Sequence, residues 1–425
     1  MFSKLKNKLK SVFSNCIFSK EESDVDYVFF DTVAKVPVDD WNRIFKNSES
    51  CLCQSLAYLQ CLESSITQPN LLRYLIIYKS QQPIAAFYFQ LYDVNNMSVK
   101  KLLNDQYFKA LLDKLKGLND EKLFGTNDKK RFVVVNGNLF ASESSGFACN
   151  EDPESLNAWQ WEKVLDLLMN SVNENSSLLC CVSKDFQTTD VVLAGKLQSA
   201  GFKPFQVDPE MNLNIQWKNF EEYLASLTTK YRTRIKSVFD KSNEIEVEEL
   251  SAVGIKKYFG QINALLKNVF ENAPVRLASI EANFFICQKE KFDDNYIFNI
   301  LKLNNEIVGF YTALRNNKTL TAQFVGFDYA LNRSHNLYYR MLIEYTKLAI
   351  DKKCMLLQFG RDALEIKSTL GATPSPLQLF LFVPGMFASF LVDPFLKIAT
   401  SREWIQRQPF KQINQPSTLD LKHSA

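Results

Sequence analysis

Histidine is nearly absent from this chain, which has two histidines, His335 and His423, among 425 residues. Two histidines give little support for a histidine-based catalytic triad or a histidine-rich metal site. The nine cysteines form no CxxC pair, and several lie inside apolar runs such as residues 178–182. This pattern is typical of reduced, buried thiols, so it predicts a cytoplasmic protein with no disulfide and no bound metal.

A strong charge of either sign is also lacking. The net charge is +3 at pH 7, and residues 1–20 hold five lysines and no acidic residue, so the rest of the chain sums to −2. Proteins that bind double-stranded nucleic acid normally carry a large basic surface. We therefore predict no partner of that class.

Residues 1–18 lack the uninterrupted apolar run of a signal peptide. On a helical wheel their apolar side chains gather on one side, and lysine and asparagine occupy the other, which predicts a basic amphipathic helix over residues 1–20. Two interpretations stay open. The helix contacts the inner face of a membrane peripherally, or it docks on the protein itself or frays in water.

One supersecondary unit occurs twice in the chain. KSQQPIAAFYFQL begins at Lys79 and KLNNEIVGFYTAL at Lys302, and both have the pattern of two strands joined by a polar pair. Aligned without a gap, the Phe-Tyr pair at 87–88 falls on the pair at 310–311. Each unit is later followed by a helix, an apolar strand and a polar helix that ends at glycine. The repeat predicts two tandem α/β domains with mixed sheets.

The step from Asp208 to Pro209 interrupts one strand-like run before the next and marks a boundary. We predict an N-terminal helix at 1–20, a first domain at 21–209, and a second domain with a C-terminal extension at 210–425. The later elements predicted in the second domain are helix 334–350, strand 354–359, helix 362–370 and strand 377–383.

Charged residues follow the predicted strand 354–359. If 362–370 is a helix, Arg361 and Glu365 lie on the face opposite its apolar stripe, and Lys367 lies at the edge of that stripe. A lysine in this position either extends to water or holds an anionic ligand. Position alone favours extension to water.

Three strands, a helix, a strand and a helix, the order predicted in the second domain, is the order of elements in the GNAT superfamily. The run FGRDALEIKSTLGATPSPL, which begins at Phe359, resembles the C-terminal signature of its tandem, Fem-like branch. That branch includes peptidoglycan aminoacyltransferases and many uncharacterised bacterial proteins. The resemblance also covers residues 220–236 and the repeated hairpins. It implies two GNAT-like domains that transfer an acyl group from acyl-CoA, or an aminoacyl group, to an amine or hydroxyl of an envelope-related or small-molecule acceptor. No permanently bound cofactor is implied.

Acyl transfer requires a base for the amine proton and donors for the tetrahedral oxyanion. The nearest candidates are Glu365 as the base and Lys367 or Arg361 as the anion-binding groups. The donor pyrophosphate would suit free backbone N–H groups at a strand end and at the start of the next helix. The residues predicted to bind the donor are Val325, Gly326, Phe327, Ser334, His335 and Asn336.

One departure from the GNAT pattern supports a second hypothesis. GNAT acetyltransferases usually carry a glycine-bearing loop at the donor pyrophosphate, whereas the run DYALNRSHNLYYR contains no glycine. A degenerate tandem-GNAT protein that binds a ligand or partner without turnover is therefore the alternative. In the first domain, residues 133–147 (VVVNGNLFASESSGF) form either a second substrate pocket or a plain loop.

Overall fold

The computed structural model describes residues 18–19, 25–45, 52–66, 71–93, 130–142, 145–149, 159–172, 176–188, 191–272, 280–384 and 404–411. The predicted N-terminal helix lies outside these residues, except that Phe18–Ser19 form a short strand. Within the described ranges, no helix combines the length and the apolar character needed to cross a membrane.

The first half of the chain supplies eight strands and four helices within these ranges. The strands are β1 (Phe18–Ser19), β2 (Val25–Phe30), β3 (Leu71–Lys79), β4 (Gln82–Asp93), β5 (Lys130–Asn136), β6 (Phe147–Cys149), β7 (Ser176–Gln187) and β8 (Lys203–Gln206). The helices are α1 (Val38–Phe45), α2 (Leu56–Ser65), α3 (Trp159–Val172) and α4 (Val191–Ser199).

The second half supplies the remaining described elements. Its strands are β9 (Glu210–Asn214), β10 (Glu246–Glu249), β11 (Tyr296–Leu303), β12 (Glu306–Asn316), β13 (Thr319–Phe327), β14 (Leu356–Gln358), β15 (Thr373–Ser375) and β16 (Leu377–Phe382). Its helices are α5 (Phe220–Ser226), α6 (Thr229–Lys241), α7 (Ala252–Lys257), α8 (Phe259–Asn272), α9 (Ala282–Phe292), α10 (Tyr329–His335), α11 (Leu337–Asp351) and α12 (Leu364–Ser368).

The strands form two mixed sheets with the same pattern of pairing. Sheet 1 has the order β1-β2-β3-β4-β5-β7-β16-β8, with β6 on β4, and sheet 2 has the order β10-β11-β12-β13-β14-β9-β15. Each sheet contains one parallel pair among antiparallel ones: β5 with β7 in sheet 1, and β13 with β14 in sheet 2. The prediction of two α/β units with mixed sheets is confirmed.

The two halves exchange strands. β9 follows β8 in the chain but lies between β14 and β15 in sheet 2. In return, β16 leaves the second half and lies between β7 and β8 in sheet 1. The strand predicted at 377–383 therefore exists, but it does not join the sheet of the domain to which the sequence assigned it. Its run LQLFLF is apolar enough for either sheet, so burial could be predicted and the partner could not. The boundary near residue 209 stays a prediction.

Both predicted hairpins form, and each turns through two residues with left-handed backbone. The φ angles are 47° and 66° at Ser80 and Gln81, and 51° and 65° at Asn304 and Asn305. Two consecutive positive φ angles are the mark of the type I′ turn that suits the twist of a hairpin. The polar pair Asn304-Asn305 was therefore placed correctly, whereas the first turn lies one residue before the predicted pair Gln81-Gln82.

The register of the repeat differs from the ungapped alignment by one residue. Counted from the turn, Phe87 pairs with Leu75 as Tyr311 pairs with Asn299, so Phe87 is equivalent to Tyr311 and not to Phe310. Burial agrees, because Phe310 packs in the same central core as Tyr88, whereas Phe87 lies in an outer core. The predicted overlay was wrong, since a shift of one residue along a strand moves every side chain to the other face.

Three hydrophobic cores hold the layers together. The central core lies between the sheets and contains α1, α2, α8 and α9. One outer core packs α3 and α4 on sheet 1, and the other packs α5, α6 and α11 on sheet 2. A disulfide between Cys61 of α2 and Cys287 of α9 crosses the central core, so the expectation of no disulfide was wrong. The two cysteines lie 226 residues apart in sequence, and no spacing motif could have revealed them.

Candidate functional site

Strands β13 and β14 separate early. β14 pairs only with residues 319–321 of β13, although β13 continues to Phe327. In sheet 1, the corresponding parallel pair β5–β7 is maintained over seven residue pairs. Residues 322–327 of β13 therefore have no strand partner on that side within the described residues. Sheet 2, unlike sheet 1, presents an open strand edge where a ligand could reach the backbone.

The helix after β13 begins later than predicted. Residues 329–335 form the separate short helix α10, Asn336 is left-handed (φ 52°), and α11 begins at Leu337 rather than near Ser334. Ser334 and His335 thus lie at the carbonyl end of α10, where the helix dipole is negative. The Ser334 hydroxyl lies 2.8 Å from His335 Nδ1, so these two side chains interact with each other.

The other residues predicted to bind the donor lie along the open edge or at the start of α11. Val325, Gly326 and Phe327 pair with β12 on their inner side. A Cβ on Gly326 would lie 2.1 Å from the ring of Phe310, so packing alone accounts for this glycine. In the first turn of α11, the N–H of Tyr338 donates to Asn332 Oδ1 at 2.8 Å, which leaves fewer free N–H groups than the sequence suggested.

The charged helix after β14 is shorter than predicted. α12 spans Leu364–Ser368, and the preceding turn contains Gly360 (φ +83°) and a left-handed Ala363 (φ +54°). Arg361 therefore lies in the turn, and it does not share a helix face with Glu365. The sequence could not show this break, because alanine rarely adopts a left-handed conformation.

Lys367 is buried, with 3% of its surface exposed. The interpretation in which it extends to water was therefore wrong. Its Nζ donates to the carbonyl oxygen of Gly360 at 3.0 Å, which gives one of the three ammonium donors an acceptor among the described residues. Burial lowers the pKa of Lys367 to about 8, and the negative charges of Asp362 and Glu210 oppose this shift.

Glu210, the first residue of β9, is the buried acid beside this lysine, and sequence reasoning missed it. Its Oε1 accepts from the N–H of Gly360 at 2.5 Å, and its Oε2 accepts from the hydroxyl of Ser142. Burial raises the pKa of the Glu210 carboxyl, whereas these two hydrogen bonds and the charges of Lys367 and Arg361 oppose the shift. Ser142 belongs to the loop after β5, so the loop predicted as either a pocket or a connection reaches the second-half site.

A β-bulge in β7 completes the cluster from the side of sheet 1. The register of β7 with β16 shifts between Ser183 and Phe186, and Asp185 within this step has φ +66°. Asp185 forms ion pairs with Lys184 and, at 3.2 Å, with Arg361. A left-handed aspartate inside a strand is strained, and such strain is concentrated at functional sites.

Lys184, which precedes Asp185 in this bulge, is buried, and its ammonium donates to three acceptors. Its Nζ donates to the carbonyl oxygens of Asn138 and Ala141, both at 2.7 Å, and to Asp185. Burial lowers the pKa of Lys184, and the charge of Asp185 opposes that shift. The repeat could have indicated this pair, because Lys184 and Asp185 lie near the end of β7, where Gly360 and Arg361 follow β14.

Glu365 lies apart from this cluster. Half of its side chain is exposed, and its Oε1 accepts from Arg407 Nη2 at 2.5 Å and Nε at 3.1 Å. The structure therefore brings Arg361 and Lys367 together with Glu210 and Asp185, and it leaves Glu365 on the outer side of α12. Among the described residues, no group of three or more potential metal ligands occurs.

No protein-family model and no curated protein matches the chain. Several solved structures are similar to the chain. FemX shares 10% identity over 84% of this chain and 98% of its own, with a TM-score of 0.49. A tandem GNAT protein from the clavulanic acid biosynthesis pathway shares 8% identity over 85% and 99%, with a TM-score of 0.47. L-PGS from Bacillus licheniformis shares 12% identity over 69% and 95%, with a TM-score of 0.36.

Two of these similar structures, FemX and the tandem GNAT protein, carry the family terms to which the sequence resemblance pointed. Every score lies below 0.5, and the function proposed below rests on the geometry of this chain.

Proposed function

We propose that the protein is an acyltransferase that moves an acyl or aminoacyl group from acyl-CoA or another activated donor to an amine or hydroxyl. The observation that carries this proposal is the buried Lys367, which has a pKa of about 8 and a single hydrogen bond among the described residues. A buried ammonium with few acceptors favours an anionic ligand or the neutral amine, and a lysine of this pKa can exchange a proton near neutral pH.

The open edge of β13 connects to Lys367 through Tyr338 and Asp362. The rings of Phe327, at the end of β13, and Tyr338 lie 5.8 Å apart. Asp362 is close enough to Tyr338 and to Lys367 to affect the pKa of both. A donor bound along Val325, Gly326 and Phe327, with Asn336 and the start of α11 beyond, would therefore bring its carbonyl towards Lys367.

Acyl transfer at this site needs one proton carrier. The acceptor nitrogen or oxygen attacks the donor carbonyl carbon, neutral Lys367 takes the proton of the nucleophile, and the same proton goes to the departing thiolate or alkoxide. This gives Lys367 the proton transfer that the sequence analysis gave to Glu365, since Glu365 is paired with Arg407 on the surface. Arg361 pairs with Asp185, and its guanidinium makes no other ion pair among the described residues, so its remaining donors could bind an anionic part of the substrate.

The alternative is a binding protein without turnover. It is favoured by the bond from the Tyr338 N–H to Asn332, which occupies a group that a donor pyrophosphate would need. The identity of donor and acceptor and membrane contact through residues 1–18 remain proposals from the sequence. A cytoplasmic location also remains one, although the Cys61–Cys287 disulfide contradicts the reduced cysteines on which it rested.

The test uses the full-length protein, a panel of acyl-CoA thioesters and a mixture of amine and hydroxyl acceptors, with products followed by mass spectrometry. We expect thioester consumption that falls about 100- to 10,000-fold in K367M, the loss typical of removing a general acid–base group. K236M, which removes an exposed lysine of α6, is the matched control and should keep full activity. Thermal stabilisation by a thioester without any consumption would favour the binding protein.

A further inference from the structure

Helix α12, which carries Lys367, cannot hold its own position. It has five residues, its N-cap Ala363 is left-handed, and no side chain caps its first turn. Isolated helices much longer than this are already marginal in water. The place of Lys367 must therefore be fixed by contacts from other parts of the chain.

Residues 404–411, which we name the C-terminal strap, supply several of those contacts. The N–H of Arg407 donates to the hydroxyl of Ser368 at 3.0 Å, and its guanidinium pairs with Glu365. Gln406 Nε2 donates to the carbonyl oxygen of Ala372 at 2.9 Å, just beyond the helix. The strap thus contacts α12 on its outer face and at its end.

Phe410 of the strap packs on the backbone of Gly371. Gly371 has φ +98°, and a Cβ there would lie 2.2 Å from the ring of Phe410. No other residue type would therefore allow this packing at this backbone angle. Phe410 also lies 5.3 Å, ring to ring, from Trp217, so it ties the end of α12 to the segment before α5.

The other side of the strap is bound to the end of α5. The N–H of Thr228 donates to the carbonyl oxygen of Pro409, and the N–H of Lys411 donates to that of Ser226, both at 2.9 Å. Leu227 and Phe410 form an isolated β-bridge. The strap therefore spans from α5 to α12 and clamps the short helix against the body of the second half.

We propose that Arg407 and Phe410 are positioning residues of the site. They clamp α12 and so keep Lys367 Nζ on the carbonyl oxygen of Gly360, and they act on the reaction only through Lys367. Glu365 then serves as the anchor for Arg407 and not as the base. The role in catalysis rests on the proposed function, but the positioning of Lys367 does not.

The charged groups that face Lys367 come from two elements. Asp362 belongs to the turn before α12, and Glu210 belongs to β9. The charges of Arg361 and Lys184 act on Glu210 in turn, and Asp185 pairs with both of these basic residues. If the strap is released and α12 moves outward, Lys367 gains water and its pKa returns towards the ordinary lysine value.

The test reads this protonation without any substrate. In the full-length chain, the melting temperature of K367M is compared with that of the unchanged Lys367 protein at pH 7 and at pH 10. The comparison is repeated in the F410A and R407M backgrounds. K367M should raise the melting temperature, and this increase should be larger at pH 7 than at pH 10. We expect the difference between the two increases to fall to less than half in the F410A and R407M backgrounds. I405A, which alters a strap side chain that is 58% exposed, is the control and should leave the advantage unchanged.

Folded F410A and R407M proteins that keep the full pH-dependent advantage of K367M would overturn the proposal, because the strap would then be structural only. If F410A does not fold, R407M decides the question, since its ion pair lies at the surface. Failure of acyl transfer would leave this measurement unaffected. A negative result here would likewise leave the acyltransferase proposal in place.

Discussion

The carboxylate of Glu210 accepts a hydrogen bond of 2.5 Å from the N–H of Gly360, a residue 150 positions later in the chain. The carbonyl oxygen of the same Gly360 accepts the hydrogen bond from Lys367. One peptide segment therefore holds a buried acid on one side and a buried base on the other. Because Glu210 also binds Ser142, the first half of the chain takes part in fixing the second-half site.

Replacement of Lys367 by methionine should stabilise the protein at neutral pH. The folded-state pKa of about 8 lies below the ordinary lysine value of 10.5, so the unfolded state binds more protons between these values. The contribution of Lys367 to stability should rise as pH goes from 8 to 10.5, and below pH 8 it is a penalty on the order of 3 kcal/mol. Urea unfolding should show K367M more stable at pH 7 by about 2 kcal/mol, after the lost hydrogen bond is subtracted.

The same difference should become small at pH 10. Equal differences at pH 7 and pH 10 would show that Lys367 has an ordinary pKa. The methionine then acts only by filling space, and the proton-transfer role of Lys367 would lose its support.

Glu210→Ala should destabilise the fold although it removes a buried acid. It leaves the N–H of Gly360 and the hydroxyl of Ser142 without their acceptor in a buried place. Unpaired buried donors cost about 1–3 kcal/mol each, so we expect a loss of about 3 kcal/mol in urea unfolding. E290A removes an exposed acid of α9 and serves as the control; a similar small loss in both variants would contradict the assigned contacts.

Asp185 can be tested by a double-mutant cycle with Arg361. D185A leaves Lys184 buried without its carboxylate and keeps a β-carbon in the left-handed region, so a loss of about 3–5 kcal/mol is expected. R361M alone should cost less, because its side chain is partly exposed. The cycle should give a coupling energy of about 1 kcal/mol or more between the two residues. Strict additivity would mean that the ion pair across the halves contributes nothing.

The disulfide between Cys61 and Cys287 should contribute strongly to stability. Its closed loop spans 226 residues, and the chain-entropy relation gives on the order of 5 kcal/mol for a loop of that length. Unfolding with and without reductant measures this contribution. The C61A/C287A variant should match the reduced protein and show no further response to reductant, and an unchanged midpoint on reduction would refute the cross-link.

Local features of the fold were accessible from sequence, and pairings over long distances were not. The hairpins could be predicted because the polar pairs Gln81-Gln82 and Asn304-Asn305 interrupt short apolar runs, although the first turn lies one residue earlier, at Ser80-Gln81. The strands that pair with β16 could not be predicted, because an apolar strand can be buried in either sheet. Lys367 could be picked out from the sequence as a candidate site residue, and that role stays a prediction. Its burial depends on Glu210 and Gly360, which only the fold brings together.

The exchange of β16 into sheet 1 should delay completion of that sheet during synthesis. A ribosome that has made β7 and β8 has not yet made β16, which must lie between them. The emerging first half therefore waits with two unpaired strand edges until Phe382 has left the exit tunnel. At about 5–20 residues per second, the 176 residues from Gln206 to Phe382 take about 9–35 seconds, so the nascent chain should depend on chaperone protection during that interval.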